Sequence, residues 1–249
     1  MKKTKEAFIG IFAVLVLAAI VIFVYNHERG RVRRDLARAI AEISPRGGPP
    51  ETIDGLRRAI ALYEAQIERN VQEGAQTGSY WKILAIRLAD RGMHRDAIDA
   101  FERAIHFNAE DPALFFLVGE SASVVASATL DFSPAATAER ERFFRLAESA
   151  YLRAIQLDPN YARPLLGLGI LYTFDLNRPH DAIPLLDRYL RLLPNNIEGM
   201  FVLARAFFMT NNFNDAIELY LRIISRSRDQ RVREEAQNNI ETIRNLLYG

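Results

Sequence analysis

A pattern of three anchor residues recurs four times in this chain of 249 residues and constrains its fold more than any other feature. The second anchor follows the first by four residues and the third follows by three more, so the anchors share one face of a helix. Most of them are alanine or aromatic. The four copies are Ala97, Phe101 and Ala104; Ala147, Tyr151 and Ala154; Ala182, Leu186 and Tyr189; and Ala216, Tyr220 and Ile223.

The spacing between the copies indicates the fold class. The first anchors of successive copies lie 50, 35 and 34 residues apart. A period near 34 residues is typical of a stacked array of helical hairpins, in which each repeat is one supersecondary unit. Such arrays bind partners on extended surfaces. The pattern therefore predicts an all-α fold and a binding function.

The residues around the anchors resemble the tetratricopeptide repeat family. That family places aromatic, aliphatic and small residues at set positions of its first helix, and a small residue in the turn that follows. The resemblance implies a right-handed α-solenoid of helical hairpins over residues 78–230. The matching positions are Trp81, Leu84, Ala85, Leu88 and the turn residue Gly92; Phe115, Val118 and Gly119; Leu165, Leu168, Gly169 and Tyr172; and Met200, Leu203, Ala204 and Phe207.

The repeat boundaries follow from this register. We expect four repeats, at residues 78–111, 112–161, 162–196 and 197–230, and a C-terminal capping helix at residues 231–249 with one polar face.

Two repeats exceed the period. In the second repeat, Ser133 and Pro134 are typical of a helix start, which predicts a second helix from Pro134 to Leu157. We expect both of its helices to be lengthened by about two turns, giving a protruding hairpin. The third repeat has one extra residue, which we place in the turn at residues 177–180. Side chains available to pack the protruding hairpin are Val124, Val125, Leu130, Phe143 and Phe144.

The first 25 residues predict a membrane anchor. A short basic tail, residues 1–6, precedes residues 7–25, which contain no charged side chain. At about 1.5 Å per residue, that run nearly spans a hydrocarbon core of about 30 Å. We therefore expect a retained transmembrane helix that acts as a signal anchor. A cleaved signal peptide and a buried helix are the alternatives.

A juxtamembrane helix and a Pro/Gly hinge follow at residues 26–50, and then an N-terminal capping helix at residues 51–77. The capping helix carries an apolar stripe that we expect to pair with Leu36, Ile40 and Ile43. A seam between two copies is the alternative. We expect the glycines of residues 74–78 to end this helix. The stripe consists of Ile53, Leu56, Ile60, Tyr63, Ile67 and Val71.

The sequence contains no catalytic signature in its required context. It has no phosphate-binding loop, no nucleophile elbow and no zinc-binding His-Glu-x-x-His motif. Its four histidines lack ligand spacing and it has no cysteine, so we predict no metal and no cofactor. The net charge of +1 does not favour nucleic acid.

In the tetratricopeptide repeat family, the ligand lies in a concave groove lined by the first helix of each repeat. A subtype that clamps a C-terminal carboxylate is disfavoured, because Ile86, Leu117 and Gly167 occupy clamp positions. Apolar and aromatic residues dominate the groove, which favours an amphipathic helix or an extended apolar peptide. Transferring the layout predicts groove residues Lys82, Ile86, Phe116, Glu120, Arg163, Leu166, Ile170, Phe174, Phe201, Arg205, Phe208 and Met209.

These features together predict a non-enzymatic scaffold or adaptor in an envelope-associated assembly, tethered to a bacterial inner membrane. The short lysine-rich tail favours a periplasmic repeat domain, although Arg29, Arg31, Arg33, Arg34 and Arg38 after the span oppose it. We expect protein or peptide partners, lipid contact through residues 7–25 and no nucleic acid. A holding chaperone for translocated or unfolded clients is the alternative function, and self-association stays open.

Overall fold

In a computed structural model of the chain, the described residues are Arg38, residues 52–129 and residues 133–248. The chain divides into two compact units, Met1–Glu73 and Gly74–Gly249. Every regular element of the described residues is a helix. None of these helices is long and apolar enough to cross a membrane. The predicted span at residues 7–25 and the predicted hinge lie outside the described residues.

Apart from Arg38, the described part of the first unit is Thr52 and the N-terminal portion of helix α1, which spans Ile53–Asp90. Thr52 begins it, because its hydroxyl accepts a hydrogen bond from the backbone N–H of Gly55 at 3.0 Å. The six stripe residues predicted from the sequence are 41% to 71% exposed, whereas Gly55 and Ala59 are buried. The capping role of this segment stays a prediction.

The prediction that residues 74–78 end the first helix is wrong, because α1 continues without a break to Asp90. Gly74 and Gly78 lie four residues apart and so share one face of the helix. A Cβ added at Gly78 would lie 2.7 Å from the Cβ of Phe107, which is the last residue of the next helix. Glycine at this position therefore allows close helix packing and does not mark a helix end.

The second unit continues as a series of helices, each of which contacts the next along the chain. Pro112 and Pro134 stand first in their helices, where the missing N–H costs nothing, and the side chains of Asp111 and Ser133 cap those helices. The unit is an all-helical solenoid of hairpins. Its helices after α1 are α2 (His94–Phe107), α3 (Pro112–Ala128), α4 (Pro134–Leu157), α5 (Ala162–Ile170), α6 (Pro179–Leu192), α7 (Ile197–Met209), α8 (Phe213–Arg226) and α9 (Gln230–Tyr248).

The recurring anchors form the core of these hairpins, since none of them is more than 4% exposed. In the second and third repeats the large central anchor packs against a glycine of the preceding helix. A Cβ added at Gly119 would lie 2.6 Å from Cδ1 of Tyr151, and one added at Gly169 would lie 2.5 Å from Cδ2 of Leu186. The helices are therefore too close to accept a larger residue at either glycine.

The second repeat is a lengthened hairpin, and its two helices are lengthened unequally. Helix α4 has 24 residues, while the second helices of the other repeats, α2, α6 and α8, have 14 each. Helix α3 has 17 residues, against 13 for α7. The expectation of about two extra turns in each helix is thus wrong, because most of the added length lies in α4.

The extension of α4 packs on the body of the array. Arg95 of α2 forms an ion pair with Glu139, with 2.6 Å between Nη1 and Oε1, and lies 4.9 Å from the ring of Phe143. Phe143, Phe144 and Val125 are buried, as expected for packing residues, whereas Val124 is 45% exposed. The remaining predicted packing residue, Leu130, lies outside the described residues.

The extra residue of the third repeat lies in a π-helical turn, Leu171–Asp175, that directly follows α5. The N–H of Leu176 donates to the carbonyl of Leu171 at 3.0 Å, a bond that spans five residues. The helix-ending bond from Arg178 to Tyr172 spans six residues, whereas the corresponding bonds from Met93 to Leu88 and from Asn212 to Phe207 span five.

The turn that follows has the same form in three repeats. A residue with positive φ stands five positions before the first anchor in each: Gly92 at 76°, Asn177 at 51° and Asn211 at 60°. Because these turns are alike, the extra residue precedes the turn, and its predicted place at residues 177–180 is wrong. Asparagine is one of the few residues besides glycine that adopts this conformation at low cost.

The close packing of Tyr151 on Gly119 predicts how Gly119→Ala, which adds one methyl group, changes the stability of the fold. Alanine in a helix interior is normally more stable than glycine by about 1 kcal/mol. At Gly119 the added methyl group would clash with the buried ring of Tyr151, so alanine is expected to be less stable than glycine there. We expect Gly119→Ala to lower the free energy of unfolding by about 1–3 kcal/mol. Urea denaturation of the purified wild type and variant measures this change in the free energy of unfolding.

Two further variants test the cause. In a Tyr151→Leu background, which removes the ring, Gly119→Ala should cost little or nothing. Gly74→Ala should be neutral or stabilising, because the nearest side-chain atom to a Cβ there is at 3.8 Å. An equal loss from Gly119→Ala in both backgrounds would contradict the proposed contact.

Candidate functional site

The outward positions of the first helices form one surface of the second unit, which we name the first-helix face. Helix α3 contacts α5, and α5 contacts α7, so the surface continues across the last three repeats. The structure leaves every predicted groove residue at least partly exposed except Phe116, which is only 4% exposed. The face consists of Lys82, Ile86, Phe116, Glu120, Arg163, Leu166, Ile170, Phe174, Phe201, Arg205, Phe208 and Met209.

The cation of the first repeat already has a partner. Nζ of Lys82 lies 2.7 Å from Oδ2 of Asp111. The same carboxylate caps α3, since its Oδ1 accepts a hydrogen bond from the N–H of Ala113 at 2.9 Å. Lys82 thus joins the first repeat to the second and neutralises a helix cap. It is less available for a ligand carboxylate than its sequence position implies.

The burial of Phe116 is explained by the residues that cover it. The guanidinium carbon of Arg163 lies 4.8 Å from the ring centroid of Phe116, which is a cation–π distance. Tyr161 meets the same ring edge-on at 5.6 Å, and Tyr151 lies 6.1 Å away on the core side. Phe116 is therefore a support for Arg163, and a ligand would meet the guanidinium instead of the phenyl ring.

A polar patch lies one turn along α3 from Phe116. Partial burial raises the pKa of the Glu120 carboxyl, while the charges of Arg163 and His94 oppose that rise. The hydroxyl of Ser123 lies 3.5 Å from the phenol oxygen of Tyr151. Burial raises the pKa of Tyr151 to about 12, and the contact with Ser123 opposes that rise. Glu120 is the acidic group of the face and stands beside Arg163.

The fourth repeat places a second arginine on an aromatic ring. The guanidinium carbon of Arg205 lies 5.2 Å from the ring centroid of Phe208. Phe208 is in turn fixed by an edge-on contact with Phe213 at 5.8 Å. Phe201 packs at 5.9 Å against the ring of the anchor Tyr220. Aromatic contacts on both sides thus position this part of the face.

Phe174 is the most exposed aromatic ring of the face, at 56% exposure. It lies within the π turn, so the extra residue of the third repeat is also part of the surface. The hydroxyl of Thr173 fills the widened turn by donating to the carbonyl of Gly169 at 2.7 Å. Leu166 and Ile170 of α5, both half-buried, directly precede the π turn at helical spacing from Phe174 and continue its apolar surface.

The arginines of the third and fourth repeats can still bind acidic groups. Neither Arg163 nor Arg205 forms an ion pair with a carboxylate of the described residues. A guanidinium stacked on a ring keeps its N–H edge available for hydrogen bonds to a carboxylate. With apolar side chains between them, the two arginines suit a segment that has both apolar and acidic residues.

Sequence reasoning missed two residues that shape this surface. Tyr161 precedes α5 and covers Phe116, and its position directly after the Asp-Pro-Asn turn between repeats gave no sign of that contact. Asp111 could have been found, because an aspartate directly before a proline is typical of a helix cap. Its pairing with Lys82 depends on how the repeats stack.

Two protein-family models match segments of the second unit. A family model described as a tetratricopeptide repeat matches residues 173–238, and a second model of the same description matches residues 135–197. The two matches together cover residues 135–238, which belong to the predicted second, third and fourth repeats and to the first part of the predicted C-terminal capping helix. Comparison with curated proteins gives no significant match.

Solved structures share the fold at low sequence identity. A thermophilic tetratricopeptide repeat protein of Thermus thermophilus is 16% identical with a TM-score of 0.53, and the match covers 82% of this chain and 97% of that one. YrrB, described as a tetratricopeptide repeat protein with an unusual peptide-binding site, is 17% identical with a TM-score of 0.52 and coverages of 75% and 85%. MamA of Desulfovibrio magneticus is 12% identical with a TM-score of 0.54 and coverages of 68% and 94%.

The raised pKa of Tyr151 makes stability depend on pH in alkaline solution. Above pH 10 the phenol ionises in the unfolded chain but stays protonated in the folded protein up to about pH 12. Stability is therefore lost as the pH rises through this window. Between pH 9 and pH 11 we expect the wild type to lose about 1.4 kcal/mol more than Tyr151→Phe.

Urea denaturation at the two pH values measures this difference. The Tyr151→Phe variant keeps the ring against Gly119 and removes only the ionisable group, so it is its own packing control. Equal losses in the two proteins would show that the phenol is not shielded from water.

Proposed function

We propose that this chain, which is a member of the tetratricopeptide repeat family, is a non-enzymatic scaffold or adaptor whose first-helix face binds a partner helix or peptide. Proteins of this family are protein–protein interaction scaffolds, and stacked helical repeats use extended concave surfaces for binding. The proposal rests on Arg163 and Arg205, which lie over phenylalanine rings and form no ion pair with a carboxylate of the described residues.

The chemistry of the face defines the partner. Phe174, Leu166 and Ile170 offer apolar contact area, and aromatic and arginine side chains are enriched at interface hot spots. An amphipathic helix or an extended peptide with apolar residues and one or two carboxylates would satisfy both features. The peptide-binding site in the description of YrrB supports a peptide ligand for this fold.

We further propose that residues 7–25 tether the repeats to a bacterial inner membrane, with the repeats on the periplasmic side and within an envelope-associated assembly. The uncharged run of residues 7–25 after a basic tail supports the tether. Confinement to a membrane raises the effective concentration of the scaffold toward other membrane-bound proteins without any new contact. Alkaline extraction of membranes tests the tether, and protease accessibility in spheroplasts tests the side.

Charge reversal on the face tests the binding proposal. A partner is first identified by crosslinking in cells with the N-terminal region intact, followed by mass spectrometry, and its affinity is then measured with purified proteins. We expect Arg163→Glu combined with Arg205→Glu to weaken binding by about tenfold or more, because both substitutions place like charge opposite the partner's carboxylates.

A matched control uses an arginine on a different helix. Arg153 of α4 also lies over a phenylalanine ring, 5.8 Å from that of Phe115, but it is on the second helix of its repeat. Arg153→Glu should leave the affinity unchanged. Equal effects of the two changes would discard the first-helix face as the site, and recovery of many unrelated unfolded clients would favour a holding chaperone over a scaffold.

A further inference from the structure

The first unit has an apolar stripe that nothing in the described residues covers. Six large side chains along the N-terminal half of α1 are between 41% and 71% exposed. The same helix segment buries its small residues Gly55 and Ala59 on an adjacent face. The stripe consists of Ile53, Leu56, Ile60, Tyr63, Ile67 and Val71, and we name it the α1 stripe.

The spacing of the α1 stripe is that of a helix-pairing seam. From Ile53 to Ile67 its residues follow one another by three, four, three and four residues, and Val71 follows four later. This alternation is the a and d pattern of a two-stranded coiled coil, in which apolar side chains of one helix insert between those of the other. A helix of the same kind is therefore a suitable partner.

The charges beside the stripe are self-complementary in one orientation. Arg57 and Glu64 each follow a stripe residue directly and lie at the same edge of the seam. If two copies of the segment run in opposite directions, Arg57 of each lies near Glu64 of the other, which gives two symmetric ion pairs. If the two copies run in the same direction, Arg57 of one copy lies beside Arg57 of the other along the helix pair, and Glu64 lies beside Glu64. Among the described residues, the ion-pair partner of Arg57 is Asp54 at 3.9 Å, and both side chains are largely exposed.

The area of the stripe is sufficient for a dimer. Six side chains that each bury on the order of 100 Å² would remove roughly 1,200 Å² from two copies, which reaches the lower limit for a specific interface. A two-fold interface uses the same patch on both partners, as a self-complementary stripe requires. A seam of fewer than three heptads is short, so a weak, concentration-dependent dimer is expected.

We propose that the α1 stripe is a self-association surface that joins two copies of this chain as an antiparallel helix pair. The two-fold axis passes near residues 60–63, so that Ile60 of one copy packs beside Tyr63 of the other. Leu56 of one copy then packs beside Ile67 of the other. The pairing presents two first-helix faces in one particle, and it does not depend on what those faces bind.

Cysteine crosslinking tests both the pairing and its direction. The native chain contains no cysteine, so each introduced thiol reports on one position. Leu56→Cys and Ile67→Cys are made in the full chain, carry different tags, and are oxidised singly and as an equimolar mixture in detergent. Because thiols whose Cα atoms are more than about 7 Å apart are not bridged, the mixture should give at least about fivefold more disulfide dimer than either variant alone.

A matched control comes from another exposed leucine. Leu246, which is 62% exposed on α9, lies outside the stripe, and Leu246→Cys should give only the background of random collisions. Crosslinking of Ile67→Cys with itself, in place of the mixed product, would show a parallel seam and overturn the proposed orientation. Yields no higher than those of Leu246→Cys would overturn self-association through this stripe.

Sedimentation equilibrium of the full chain provides a second measurement. Ile60→Glu combined with Ile67→Glu should shift the dimer dissociation constant upward by about tenfold or more, while Phe174→Glu on the first-helix face should leave it unchanged. Circular dichroism checks that both variants stay helical. A wild-type chain that stays monomeric at the highest concentration, or an equal shift in both variants, contradicts the proposal.

Discussion

The close fit of one large side chain against one glycine in a helical hairpin is the contact on which the rest of the second unit depends. The ring of Tyr151 packs against Gly119 of its own repeat and against Gly167 of the next, where an added Cβ would lie 2.9 Å from Cζ. One side chain thus sets the distance within a hairpin and the distance between two hairpins. Tyr189 likewise sets the distance between the third and fourth hairpins, because a Cβ added at Gly199 would lie 2.5 Å from its Cε1. Interiors packed at this density tolerate little change in volume.

This constraint separates the residues that build the array from those that recognise a partner. The anchors face inward and are buried, so the outward positions of the first helices can vary in charge and size without affecting the hairpin fit. The cationic residues at these outward positions differ in their contacts from repeat to repeat. Lys82 forms an ion pair with Asp111, while Arg163 and Arg205 lie over phenylalanine rings and form no ion pair with a carboxylate of the described residues. We therefore expect the acidic part of a partner to lie on the third and fourth repeats.

The periodic features were predictable from sequence, and the local exceptions were not. Buried anchors and the start of α4 follow from helical spacing and from Ser133 and Pro134, which are local signals. The continuity of α1 was not predicted because a glycine such as Gly78 is typical of a helix end. In the structure, glycine is required at this position because Phe107 packs closely against it. The π turn was missed since a count of residues shows an insertion but not its place. The burial of Phe116 depends on Tyr161 and Arg163, which come from the next repeat boundary and helix.

We propose that the first-helix face, and not the opposite side of the hairpins, binds the partner. Photo-crosslinking in cells tests it most directly, with a benzophenone amino acid at Phe174 on the face or at Leu152 of α4, a second-helix position that is 39% exposed. We predict one or two discrete partner adducts from position 174 and none of these from position 152. Adducts of the same partner from position 152 but not from position 174 would contradict the account.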